Sequence, residues 1–64
     1  MDIYLERENK KINIKFKGKV KDLLKRLNLN SEEVLVVKGE DLLNEDDILN
    51  DNDKVKIMSV VSGG

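Results

Sequence analysis

Within its first 27 residues the chain changes its hydrophobic period from two to 3.6, and few small folds accommodate that change. Ile3 and Leu5 alternate with Asp2, Tyr4 and Glu6, the pattern of a half-buried strand. The polar stretch Glu6-Arg7-Glu8-Asn9-Lys10-Lys11 reads as a turn. Ile12, Ile14 and Phe16 then alternate with Asn13, Lys15 and Lys17, which completes a hairpin ended by Gly18. Val20, Leu23, Leu24 and Leu27 follow at i, i+3, i+4 and i+7, one face of a helix of two to three turns. A helix with a single apolar stripe needs a surface to cover, and the preceding hairpin supplies one.

The helix ends are marked unevenly. Lys19 stands where a Ser, Thr, Asp or Asn cap is usual. Lys25 and Arg26 suit the negative end of the helix dipole, and Asn28 suits a left-handed stop. Beyond the Leu29–Glu33 link, Val34-Leu35-Val36-Val37 is continuously apolar and mostly β-branched, which reads as a central strand. A turn over Lys38–Asp41 leads to a short return strand, Leu42-Leu43. Asn44 to Asn50 reads as one short helical turn, and Asp51-Asn52-Asp53 as a tight turn. Lys54 to Val61 is the last strand, with Val55 and Ile57 on one face and Met58 and Val60 on the other or near its end. The order strand, strand, helix, strand, short strand, strand predicts an α+β β-grasp fold. Its sheet would be mixed and four- to five-stranded, with one main helix across it and the first and last strands adjacent in the middle. Residues 1–61 form the expected domain, and 62–64 a flexible Gly-Gly tail.

The inventory of side chains removes most chemistry. Sixty-four residues make one modest core, with no cysteine and no histidine. Thiolate and imidazole metal sites are excluded, and with them the commonest general base. No metal ligands are assigned, and the chain is not read as an enzyme. Asp51-Asn52-Asp53 resembles the start of a calcium loop, but the sixth and twelfth positions hold Lys56 and Ser62 instead of Gly and Glu. Glu45-Asp46-Asp47 reads as a solvated acidic turn, and Ser59 and Ser62 have no base beside them. The glycines form no phosphate-binding fingerprint. No apolar run approaches the ~18 residues of a membrane span, and no signal peptide is read, so a soluble cytoplasmic protein with no membrane partner is expected.

Charge is divided along the chain. Residues 1–32 hold nine Lys/Arg and five Asp/Glu, while residues 33–64 hold three Lys and eight Asp/Glu. Such a split can orient a protein partner, or it can reflect two solvated faces. Nucleic acid is not an expected partner: Tyr4 and Phe16 are the only aromatics, and Phe16 belongs to the apolar set.

What survives is the chain end, Met58-Ser59-Val60-Val61-Ser62-Gly63-Gly64. Two glycines pack nothing, and at average usage the pair has a chance of roughly 0.5 %. An expression scar is the alternative source, although nothing upstream looks foreign. A carboxylate is a poor acyl donor until it is activated, for example by adenylation. Glycine has no side chain and so can thread a narrow active site. Five extended residues from Val60 would reach about 17 Å from the sheet.

In these features the chain resembles the small ubiquitin-like sulfur carriers of the ThiS and MoaD type. The resemblance runs the full length: the alternating hairpin, the Val20-x-x-Leu23-Leu24-x-x-Leu27 helix, Val34–Val37 with Lys38-Gly39-Glu40, Asp51–Ile57, and Val60-Val61-Ser62-Gly63-Gly64. The Gly-Gly ending is the specific motif. Lys19, Lys38 and Asn52 depart from the family's usual cap and turn residues. The resemblance implies that an E1-like enzyme uses ATP to adenylate Gly64. Sulfur from a persulfide donor, a cysteine desulfurase or a rhodanese-type protein, then makes a C-terminal thiocarboxylate for a sulfur-accepting synthase. The carrier binds no cofactor itself. Met58, Val60, Val61, Ser62 and Gly63 are the residues expected to be read by partners, with edge packing as the alternative for Met58 and Val60. The served pathway could be thiamine or molybdopterin biosynthesis or tRNA thiolation. Other readings are a ubiquitin-like modifier joined through Gly64 to lysines, and a non-catalytic interaction or nucleic-acid-binding module.

Overall fold

A computed structural model describes residues 1–60. The elements are β1 (Asp2–Leu5), β2 (Lys10–Asn13), β3 (Gly18–Lys19), α1 (Val20–Arg26), β4 (Val34–Lys38), β5 (Asp41–Leu43), β6 (Ile48–Leu49) and β7 (Lys54–Ser59). Five strands form a mixed sheet in the order β2-β1-β7-β4-β5, and β3 and β6 form a separate two-stranded ribbon. The protein has the β-grasp architecture read from the sequence. β1 runs parallel to β7, pairing Asp2 with Lys54 and Leu5 with Ile57. β4 runs antiparallel to β7 on its other side, pairing Val34 with Ser59 and Val36 with Ile57. β4 is interior as read, although the middle of the sheet belongs to β7.

Strand alternation sends Ile3, Val36, Val55 and Ile57 to one face, where α1 buries Val20, Leu23 and Leu24 against them. Leu49 and the Met1 side chain complete the buried set. Ile12, Ile14 and Phe16 pack against this core from the side, although β2 itself ends at Asn13. Beyond Met1, the backbone keeps the same edge closed: the Ile14 N–H donates to the Met1 carbonyl at 3.0 Å.

The helix start shows how the missing cap is replaced. Lys19 is extended and makes no side-chain cap. The N–H groups of Val20 and Lys21 donate instead to the carbonyls of Asp47 and Glu45, each at 3.0 Å. Two orphan donors of the first turn are therefore satisfied by a distant backbone segment. That arrangement also explains why Asn44–Asn50 is not the expected helical turn. Asn44 and Asp47 close a tight turn, the Asn44 N–H donating to Asp47 Oδ2 at 2.6 Å and the Asp47 N–H to the Asn44 carbonyl at 3.1 Å. Ile48 and Leu49 then pair with Lys19 and Gly18.

The helix end follows the reading. Asn28 sits at φ 58°, its N–H reaching the Lys25 carbonyl at 3.0 Å, while the Leu29 N–H reaches that of Leu24 at 2.8 Å. This pair of bonds is the Schellman closure, with Asn in the left-handed position. Gly39 (φ 63°) makes the turn between β4 and β5. Among the described residues no helix is long and apolar enough to cross a membrane.

Candidate partner interface and tail exit

β7 delivers the chain to the site. It is held on both sides, and its hold extends one residue past its assigned end: the Val60 N–H donates to the Glu33 carbonyl at 2.8 Å. Val61, Ser62, Gly63 and Gly64, expected to be read or modified by partners, lie outside the described residues, as does the predicted tail at 62–64.

Met58 and Val60 lie where the alternation places them, away from the helix. Met58 is half-buried and stands opposite Leu35 in the β4–β7 register, while Val60 is 46 % exposed. They do not stand alone. Leu35 is 41 % exposed, and Leu42, opposite Val37 in the β4–β5 register, is 60 % exposed. Leu35, Val37, Leu42, Met58 and Val60 thus share one uncovered face of the sheet, next to the point where the chain leaves it. Exposed apolar side chains grouped in this way make the face a candidate interaction surface. Leu35 and Leu42 were not singled out from sequence. The signal was present in the β4 run: alternation requires one of its two apolar sets to point away from the single helix.

Ionic groups frame this face. Lys56 pairs with Glu6 at 3.2 Å, and Lys38 with Asp53 at 3.0 Å. The Asp53 carboxyl is held below its ordinary value of 3.8, first by the Asn50 N–H and then by the Lys38 side chain. Asp53 therefore ties the turn before β7 to the end of β4. At the chain exit a cleft of about 490 Å³ is lined by Leu5, Leu29, Val34, Ile57 and Val60 together with Arg7, Glu8 and Glu33. Among the described residues no group of three His, Cys, Asp or Glu side chains is placed to hold a metal ion.

A β-grasp body that fixes its last strand at the centre of the sheet, with an apolar face beside the chain exit, is the architecture of a ubiquitin-like sulfur carrier. The chain belongs to the ThiS family, which matches residues 3–64. It is similar to the sulfur carrier protein TtuB of Thermus thermophilus, with 35 % identity over 57 residues that cover 89 % of this chain and 88 % of the relative. Proteins of this type are carried substrates of other catalysts and not enzymes.

Proposed function

We propose that this protein carries sulfur on its C-terminal carboxylate, at Gly64. The observation that supports the reading most is the ThiS match through residue 64, on a body whose central strand is hydrogen-bonded up to Val60. An E1-like partner binds the carrier and ATP in the cytoplasm. The Gly64 carboxylate attacks the α-phosphorus, pyrophosphate leaves, and an acyl-adenylate results. The outer sulfur of a persulfide, supplied by a cysteine desulfurase or rhodanese-type donor, displaces AMP. A second thiol cleaves the acyl disulfide and leaves the thiocarboxylate. A synthase in thiamine or molybdopterin formation, or in tRNA thiolation, then accepts the sulfur. The protein itself holds no cofactor in this scheme; ATP belongs to the partner. Met58 and Val60, with Leu35 and Leu42, give the partner an apolar grip, while Val61, Ser62 and Gly63 pass through its active-site channel.

The deciding experiment is mass spectrometry of the intact protein isolated from its host, together with ATP–pyrophosphate exchange by the host's adenylating enzyme. A gain of about 16 Da, one oxygen replaced by sulfur, and exchange that vanishes when Gly64 is deleted are expected. Exchange that survives the deletion would sink the reading. Gly-Gly remnants on host lysines, with no thiocarboxylate, would convert it to protein conjugation.

A further inference from the structure

β7 is held unequally along its length. On the β1 side its register stops at Leu5–Ile57, and the Glu6 N–H donates to the Ile57 carbonyl at 3.0 Å. Beyond that bond, among the described residues, β7 is carried by β4 alone, with Met58 opposite Leu35 and Ser59 opposite Val34. One step further in this register, Val60 stands opposite Glu33. A hydrogen-bonded antiparallel pair exchanges two bonds, one N–H in each direction. Here one is made, from the Val60 N–H to the Glu33 carbonyl at 2.8 Å. The donor for the other is already committed: the Glu33 N–H donates to the Asn30 carbonyl at 3.0 Å.

Asn30 builds the turn that takes this donor. Its Oδ1 accepts the Glu32 N–H at 3.0 Å, while its carbonyl accepts that of Glu33. Asparagine favours the first position of such a turn, because its side chain can accept from the backbone two residues on. Asn30 also follows directly on the helix stop, where the Leu29 N–H is fixed on the Leu24 carbonyl. The turn acts on the sheet in two ways. It offers the Glu33 carbonyl as an acceptor for Val60, and it withholds the donor that would complete the pair. Glu33 contributes its main-chain oxygen to this hold, not its carboxylate.

We propose that the Asn30–Glu33 turn is the clamp that sets where the tail begins, with Asn30 as its positioning residue, an inference that rests on the function proposed above. Val61 to Gly64 can reach at most about 14 Å from a held Val60. With the Val60 bond broken, the origin falls back to Met58 in the Leu35–Met58 pair, and the maximum reach grows to about 21 Å. A longer tether lowers the effective concentration of its end at a fixed site, and each released residue must be ordered again on entry. The same bond keeps Val60 in the apolar face, so that face and the tail origin stand at a fixed spacing.

The test uses full-length protein made by chemical synthesis with the Ser59–Val60 amide replaced by an ester, which removes the Val60 N–H and keeps both side chains. It is compared with Asn30→Ala, Asn30→Asp and Glu33→Gln, and folding of all four is checked by circular dichroism. The readouts are amide hydrogen exchange of the substituted proteins and ATP–pyrophosphate exchange by the host adenylating enzyme, titrated with carrier. The ester protein and Asn30→Ala are expected to lower kcat about threefold with KM for the carrier unchanged. Asn30→Ala should lose protection at the Val60 amide and keep it at Ile57. Asn30→Asp, which retains the side-chain acceptor, and Glu33→Gln, which retains the main chain, should match wild type in both readouts. A folded ester protein with wild-type kcat would overturn the clamp and leave carriage by Gly64 intact. A Val60 amide still protected in Asn30→Ala would overturn the role of Asn30, and an equal loss in Glu33→Gln would overturn the main-chain hold. Wild-type protein that supports no exchange removes the function proposed above, and the clamp's part in it.

Discussion

Leu35 and Met58 face one another across β4 and β7, on the side of the sheet that no helix covers. Their strand neighbours Val36 and Ile57 form the equivalent pair on the covered side, both nearly inaccessible. One residue step along each strand thus separates the core from the candidate partner surface. The two surfaces can be perturbed independently.

Leu35→Asp/Leu42→Asp is expected to change folding stability by less than about 1 kcal/mol, because both side chains are substantially exposed. The same variant should weaken productive association with the adenylating enzyme about tenfold, or roughly 1.4 kcal/mol. Urea denaturation and exchange titrations measure the two quantities separately. A folded variant that is adenylated like wild type would remove the patch from the interface.

Leu49→Ala should be among the most damaging single changes. Leu49 is fully buried and joins the two-residue β6 to the main core. Truncations of this type cost about 2–5 kcal/mol. In a domain of this size each kcal/mol lowers Tm by roughly 4–8 °C, so a drop well above 8 °C is expected by circular dichroism.

Asn28 tests the helix stop. Its φ of 58° is strained for most L-residues and free of strain for glycine. Asn28→Gly should leave the urea midpoint unchanged or slightly raised. Asn28→Ala should lose about 1 kcal/mol, since alanine carries the left-handed penalty without the compensating local bonds of asparagine.

Asp53 makes a pH-dependent contribution. Its carboxyl is lowered in the folded state by the Asn50 N–H and the Lys38 ammonium. A depressed folded value means that the stabilisation is fully present above the unfolded value, close to 3.8, and is lost as pH falls through the lower folded value. Wild type should therefore be more thermostable than Asp53→Ala near neutral pH, with the difference shrinking towards about pH 2. Thermal melts of both proteins at the two pH values provide the comparison. A gap that persists in acid would mean that the carboxylate's charge is not what holds the turn.

Much of the fold was legible because its signals are local. The alternation of Ile3 and Leu5, the 3.6-residue spacing from Val20 to Leu27, and Asn28 as the stop each concern neighbours in the chain. The misread segment, Asn44–Asn50, depends on a partner about 30 residues away. Two residues pair with Gly18 and Lys19 there, and two carbonyls take the place of the missing helix cap. No periodicity encodes either contact. The apolar patch was half legible. Met58 and Val60 follow from alternation in the last strand, whereas Leu35 was hidden in a run with no polar residues to break it. The Gly-Gly ending stood out by its composition, and the chemistry proposed for it rests on the resemblance to the sulfur carriers.

The parallel pairing of β1 with β7 also has a mechanical consequence. Asp2 sits beside Lys54 where both strands begin, so the amino-terminal end and Val60 lie at opposite ends of the sheet. Traction between them loads the β1–β7 ladder along its length. Its four residue pairs, Asp2–Lys54 to Leu5–Ile57, would have to slip together instead of opening one at a time. The antiparallel ladder with β4 braces the other side of the same strand. Traction between these two ends therefore meets the β1–β7 ladder in shear.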